Sequence, residues 1–366
     1  MIKRMVALAI ASVLTTSAIA QPSSPDSKVT PQVRQAVIGS LAEKLSSNYV
    51  YPDVAARVSS ELKEKLLAGI YDGDTTAKVF ADHLAKDLRT LGNDHHLGVN
   101  YAPSFQPPSD DAEQGKATQA ELDDERAWVD KGSGGIAGVR RLPGNIGYID
   151  LREFMPADFA AQRYASAMEL VSGASGVIVD LRQNVGGDPH TVALFLSYFF
   201  AENDGRHLND IYWRKDGTTD QFWTLPVVGP RYVGPVYVLT SPRTFSGGEE
   251  CAYDFQTQKR ATLVGAVTGG GANPGGPVAL VHGFVANVPS GRAINPVTKT
   301  NWEHVGVKPD LVVSPADALK VAYKALLSEQ VQSAKTPAEK AKVEALAARV
   351  NSGEWDAADY TPINAD

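Results

Sequence analysis

Apolar residues recur every three or four positions through "VRQAVIGSLAEKLSSNYV", "VAARVSSELKEKLLAGIY" and "TAKVFADHLAKDLRTL". That spacing lines one face of a helix. Residues 31–92 are therefore expected to form a small helical unit, and 31–102 an N-terminal helical domain. Residues 103–135 are polar, rich in Pro, Asp, Gly and Gln, with "ATQAELDDERAWV" as one short helical candidate. They read as a linker or surface excursion. From Ile136 the period changes. "IGYIDL" (146–151) reads as a strand and "PADFAAQRYASAMELVSG" as a helix. "GVIVDLR" (176–182) and "PVYVLT" (235–240) are nearly continuous apolar runs, the pattern of strands covered on both faces. "HTVALFLSYFF" and residues 247–260 read as helices; "ATLVG", "VALVHG" and "FVANVPS" read as strands. The alternation predicts an α/β core over 136–320 with helices packed on a sheet. Residues 321–366 are expected to be a helical tail, and Thr336, Pro337 and Glu339 spell a capping box with proline at the first helical position.

Composition narrows the class. The chain has 366 residues, a formal net charge of −7, 43% hydrophobic and 21% charged residues. These are globular proportions, enough for one large domain and a smaller one. No basic stripe interleaved with aromatics is present, so nucleic acid is not an expected partner. "MIKRMVALAIASVLTTSAIA" has two early cations, a short apolar stretch and small residues at Ala18 and Ala20. It reads as a signal peptide, residues 1–20, cleaved after Ala20; the apolar stretch is too short to span a membrane. No later segment reaches spanning length, so the mature chain is expected to be soluble and periplasmic or secreted, of bacterial type. Residues 21–30 read as a polar lead-in. The single cysteine, Cys251, rules out an intramolecular disulfide and a Cys-rich metal site. It reads as a small buried hydrophobe.

Five stretches carry candidate chemistry. In "TSPRTFSGGEE" Ser246 follows a strand and opens a helix, where unpaired N–H groups and the helix dipole suit an oxyanion. It reads either as a nucleophile or as an N-cap; the G-x-S-x-G elbow is not matched, because position 244 is Thr. In "DLRQNVGGDP" the loop after a buried strand brings Gly186 and Gly187 to the strand's carboxyl end, where ligands bind in open α/β sheets. The alternative is a tight turn into the next helix. "GNDHHLGVNY" offers a histidine base; neighbouring histidines in extended chain point opposite ways, so at most one faces a given site. Asp94 is placed to hold that loop by accepting backbone N–H groups. No ligand set accompanies the histidines and no phosphate-binding loop is present, so neither metal nor cofactor is expected. In "NWEHVGVKPDLVV" Glu303 can orient an imidazole, with His304 as a rival base. "VTGGGANPGGP" reads as a flexible loop or as a substrate rim, with Gly270 and Gly271 pairing to an extended peptide. Arg243 and Arg182 can meet a carboxylate, or form structural ion pairs.

In order, "VIVDLRQNVGGDP", "VYVLTSPRTFSGGEECAYDFQTQKRATLVGAVTGGGANPGG" and "NWEHVGVKPDLVV" resemble the S41 family of serine peptidases, the tail-specific or C-terminal processing proteases. "VRRLPGNIGYIDLREF" and "NDHHLGV" are most similar to the interphotoreceptor retinoid-binding protein branch, and this alignment puts the family histidine on His96. The resemblance spans roughly 31–320 and implies a ClpP/crotonase-like ββα core over 136–320, with no PDZ domain because 103–135 is too short for one. The processing proteases use a Ser–Lys dyad, whose lysine would fall in Gly269–Gly271; glycine stands there. The tricorn-like arrangement fits better: Ser246 as nucleophile, His96 as base, Glu303 as orienting acid. The implied oxyanion hole is the N–H of Gly247 with one N–H of Gly186–Gly187.

Three functions are weighed. A different hydrolase, such as an esterase using the same site, is one. Another is an exported serine peptidase acting on peptides or unfolded protein. The third is a carrier of apolar ligands or peptides on the same scaffold, since fold does not decide function. The intact Ser, His and Glu set favours the peptidase over the carrier, because a carrier has no physical need for it. A homo-oligomer is compatible with each.

Overall fold

The computed structural model describes residues 27–107 and 117–353. The expected signal peptide, residues 1–20, lies outside them. In chain order the helices are α1 (Pro31–Asn48), α2 (Pro52–Leu67), α3 (Ala77–Gly92), α4 (Gln119–Lys131), α5 (Ala157–Val171), α6 (Pro189–Ser197), α7 (Gly247–Thr257), α8 (Pro315–Ser333) and α9 (Pro337–Ser352). The strands are β1 (Gly98–Tyr101), β2 (Ile136–Leu142), β3 (Ile146–Leu151), β4 (Gly176–Asp180), β5 (His207–Trp213), β6 (Thr218–Trp223), β7 (Val236–Thr240), β8 (Thr262–Gly265), β9 (Gly275–Ala279), β10 (Phe284–Pro289), β11 (Gly291–Ile294) and β12 (Leu311–Val312). The chain divides into two units. The first holds Met1–Leu122, Asp210–Asp220 and Gly271–Ile294; the second holds Asp123–Asn209, Gln221–Gly270 and Asn295–Asp366.

In the first unit the helical spacing folds as the pattern predicts. Thr30 caps α1 by accepting the Val33 N–H, and Pro31 occupies its first turn, where a missing N–H costs nothing. α3 stops at Asn93, whose φ of 49° is the left-handed conformation that ends helices. The unit is not helical throughout. β1 pairs antiparallel with β10, which pairs antiparallel with β9. The core joins Leu41, Leu45, Phe80, Leu84 and Leu88 to Phe284 and Val288 of β10. The glycine-rich region read as flexible loop or rim thus supplies strand β9 and leads into β10, and β11 pairs antiparallel with Asp210–Trp213 of β5.

The second unit is built on a six-stranded sheet in the order β12-β8-β7-β4-β3-β2. All its pairs are parallel except β2 with β3, so the sheet is mixed. Every residue of β4 and of β7 is buried, as expected of strands covered on both faces. Ile146, Tyr148, Ile178, Leu239 and Val264 pack against Leu319, Tyr323, Leu326 and Leu327 of α8 and Val343 and Val350 of α9. Linked rings of Tyr164, Phe195, Phe199 and Phe255 tie α5, α6 and α7 together. Thr336 caps α9 by accepting the Glu339 N–H at 3.1 Å. No helix among the described residues is long and apolar enough to cross a membrane. β4 and β7 are parallel neighbours, with Asp180 opposite Leu239. The loops leaving their carboxyl ends therefore emerge side by side.

Candidate active site

The loop after β7 is locked to the loop after β4 before it reaches Ser246. The Thr244 hydroxyl donates to the Leu181 carbonyl at 2.7 Å, and the Phe245 N–H donates to the Asn184 carbonyl at 3.0 Å. Ser246 then turns sharply into α7, with φ 52° and ψ −122°. An L-residue is rarely held at such angles, and they concentrate at functional turns. Ser246 and Glu249 occupy the two ends of a capping box. The Glu249 N–H is nevertheless bonded to the Ser246 carbonyl, at 2.8 Å, and the Ser246 N–H is accepted by Glu249 Oε2 at 3.0 Å.

The glycines reach Ser246 because nothing larger fits. A Cβ on Gly186 would lie 2.7 Å from the Ser246 Cβ and 3.0 Å from the Gly247 nitrogen. A Cβ on Gly187 would lie 2.1 Å from the Phe154 carbonyl oxygen, and its φ of 132° strains any L-residue. The two glycines are not equivalent donors. The Gly186 N–H donates to Asn184 Oδ1 at 2.9 Å, and Asn184 Nδ2 donates to the Leu151 carbonyl at 3.0 Å. Among the described residues the N–H groups of Gly187 and Gly247 have no acceptor. The two residues are neighbours: a Cβ on Gly247 would lie 3.2 Å from the Gly187 nitrogen. The buried Asn184 that takes the Gly186 N–H carries no sequence signal.

Glu303 and Gly270 lie in the same unit. Glu303 is buried, its N–H donates to Asn301 Oδ1 at 3.0 Å, and one carboxylate oxygen lies 3.4 Å from Nδ1 of the more exposed His304. Gly270 donates its N–H to Glu249 Oε1 at 2.7 Å, and its carbonyl accepts the His304 N–H at 3.0 Å. Arg243 is exposed. Arg182 is fully buried and forks onto Asp180, with Nε at 2.9 Å and NH2 at 2.5 Å, a structural ion pair. Cys251 is free and buried.

His96 and Gly271 belong to the first unit. His95 is exposed and His96 buried, so the two face opposite ways as expected, although both sit in a turn and not in extended chain. The fully buried Asp94 accepts the His96 N–H at 2.9 Å, the Tyr49 hydroxyl at 3.0 Å and Asn273 Nδ2 at 2.9 Å. Its carboxylate lies 3.9 Å from His96 Nδ1. Burial lowers the pKa of His96 below the ordinary histidine value; Asp94 opposes that shift and His95 adds to it. Burial therefore favours the neutral form of the ring. Tyr49 and Asn273 were not legible, because the first sits at the end of α1 and the second in a loop far along the chain.

A model described as peptidase family S41 matches residues 145–313. A second, described as the N-terminal domain of peptidase S41 in eukaryotic IRBP, matches residues 29–128. Among solved structures, a candidate peptidase from Parabacteroides merdae superposes with a TM-score of 0.57 at 19% identity, over 83% of this chain and 99% of that one. Mature CPAF in complex with lactacystin superposes with a TM-score of 0.54 at 13% identity, over 88% and 100%. A lipoprotein from Streptococcus agalactiae gives 0.51 at 15% identity, over 81% and 96%. At these identities the superpositions speak for the fold, the mixed α/β core with an N-terminal helical domain.

Proposed function

The chain belongs to peptidase family S41 and is a serine-type peptidase, and from that premise we propose that Ser246 is its nucleophile, His96 its general base and Glu303 the acid that steadies the imidazolium. The Ser246 hydroxyl attacks the carbonyl carbon of a peptide bond while its proton passes to His96. The N–H groups of Gly187 and Gly247 receive the negative charge that develops on the carbonyl oxygen. Each such donor is worth about 3–4 kcal/mol in the transition state. The tetrahedral intermediate collapses, the leaving amine takes the proton from His96, and water repeats the sequence on the acyl-enzyme. With glycine at 269–271 no lysine dyad is invoked.

The observation that carries this reading is local: a serine held at φ 52° and ψ −122° at a helix N-terminus, beside two N–H groups that have no acceptor among the described residues. Such strain is retained where geometry matters more than stability. The substrate is taken to be peptide or unfolded protein, met with Gly270, Gly271 and Arg243 at the rim. The chain is proposed to act outside the cytoplasm after removal of residues 1–20, and N-terminal sequencing of the exported protein should begin at Gln21.

Covalent labelling by a fluorophosphonate, followed by peptide mass mapping, tests the chemistry without knowledge of the substrate. The adduct is expected on Ser246 and lost in Ser246→Ala and His96→Ala. A folded protein that takes no adduct on Ser246, or an adduct that persists in His96→Ala, overturns the proposal.

A further inference from the structure

Glu249 reads from the sequence as one of two acids in the first turn of α7, where negative charge suits the helix dipole. Its surroundings differ from those of such a residue. A carboxylate serving the dipole sits in solvent; Glu249 is fully buried. Its Oε2 accepts the Ser246 N–H at 3.0 Å. Its Oε1 accepts the Gly270 N–H at 2.7 Å and the Thr268 hydroxyl. Thr268 Oγ1 in turn accepts the Val307 N–H at 2.7 Å, and the Gly270 carbonyl accepts the His304 N–H at 3.0 Å. One carboxyl group thus joins the Ser246 turn to the segment 268–270, and that segment is bonded to the loop that carries Glu303. Two of these three donors come from the segment 268–270. Burying a carboxyl group is costly, and three hydrogen bonds from separate segments offset that cost only while the segments keep their places.

We propose that Glu249 is a positioning residue for the Ser246 nucleophile, holding the strained turn through its N–H and fixing it against the segments at 268–270 and 303–307. The inference rests on the reading of Ser246 as nucleophile. Displacing a reacting group by about 1 Å costs on the order of 100-fold in rate, so a strut at this place is read in the chemical step and not in probe binding.

Glu249→Gln keeps the volume but swaps one acceptor oxygen for an NH2 group. Two backbone N–H groups and a hydroxyl face the side chain on both oxygens, so either orientation of the amide sets a donor against a donor. Thr268→Val removes the second link while keeping the shape, and serves if Glu249→Gln does not fold. Glu250→Gln, one residue on and also buried, is the control for the loss of a buried carboxyl group elsewhere in α7. The experiment measures fluorophosphonate inactivation as separate binding (KI) and chemical (kinact) constants, with Tm for each variant. Expected is a fall in kinact on the order of 100-fold in Glu249→Gln and smaller in Thr268→Val, with KI little changed. The double variant should lose less than the product of the two, because both act through one network. Glu250→Gln should move Tm and leave kinact alone. Wild-type kinact in Glu249→Gln, or an equal loss in Glu250→Gln, overturns the inference. A wild type that takes no label on Ser246 fails earlier and identifies the nucleophile reading as the fault.

Discussion

Ser246 combines two roles that most serines keep apart. It opens a helix, yet its backbone has φ 52° and ψ −122°, where an N-cap normally has extended angles. Holding an L-residue there costs about 1–3 kcal/mol. The strain and the hydroxyl can be separated by substitution. Ser246→Ala and Ser246→Gly both remove the hydroxyl, but only glycine relieves φ. Glycine is therefore expected to unfold at higher temperature than alanine, by roughly 1 kcal/mol in stability. Calorimetry decides it, and equal Tm values would show that the turn is unstrained. The neighbouring glycines answer to the same geometry. Gly186→Ala puts a methyl 2.7 Å from the Ser246 Cβ; with Ser246 proposed as nucleophile, fluorophosphonate labelling of that variant should be at least tenfold slower than wild type.

At the scale of elements, α7 buries acids as well as opening on the serine. Glu250 and Asp254 lie one turn apart and are both buried. Burial raises both carboxyl groups, Glu250 to about 8 from an ordinary value of 4.5. A raised acid holds its proton in the folded chain and gives it up earlier in the unfolded one. For Glu250, stability is then lost as pH climbs from about 4.5 and levels off above about 8. Glu250→Gln removes part of that dependence. Its Tm is expected to match wild type near pH 4 and exceed it at pH 8, with the remaining slope left to Asp254. A pH scan of thermal unfolding that shows parallel curves would refute the assignment.

At the scale of the molecule, neither unit is a continuous stretch of chain. The first needs β9 and β10, residues 275–289, to pair with β1 and to bring Phe284 and Val288 into the core of its helices. A fragment ending at residue 122 keeps all three helices but loses those partners. Isolated helices of this length are marginal in water. The fragment should show little of the native ellipticity and a broad, weakly cooperative melt by circular dichroism, and a sharp two-state transition would contradict the division described.

Period and punctuation were enough for α1 to α3, for the buried runs β4 and β7, for α7 and for the capped α9. In each, the apolar spacing or a cap such as Thr336 is local, and local chemistry is what a sequence displays. The alternating His95 and His96 and the Asp94 bond to the His96 N–H were legible for the same reason. The short strands β1 and β11 were not, because four residues carry too little pattern and their partners lie far along the chain. Nor could any spacing reveal that Asn184 takes the Gly186 N–H while that of Gly187 has no acceptor among the described residues, or that Glu249 is a buried hub instead of a surface acid. Those outcomes depend on β4 and β7 lying parallel and adjacent, so that their loops leave the sheet together; register between distant strands is a property of the folded core, and only the tertiary structure decides it.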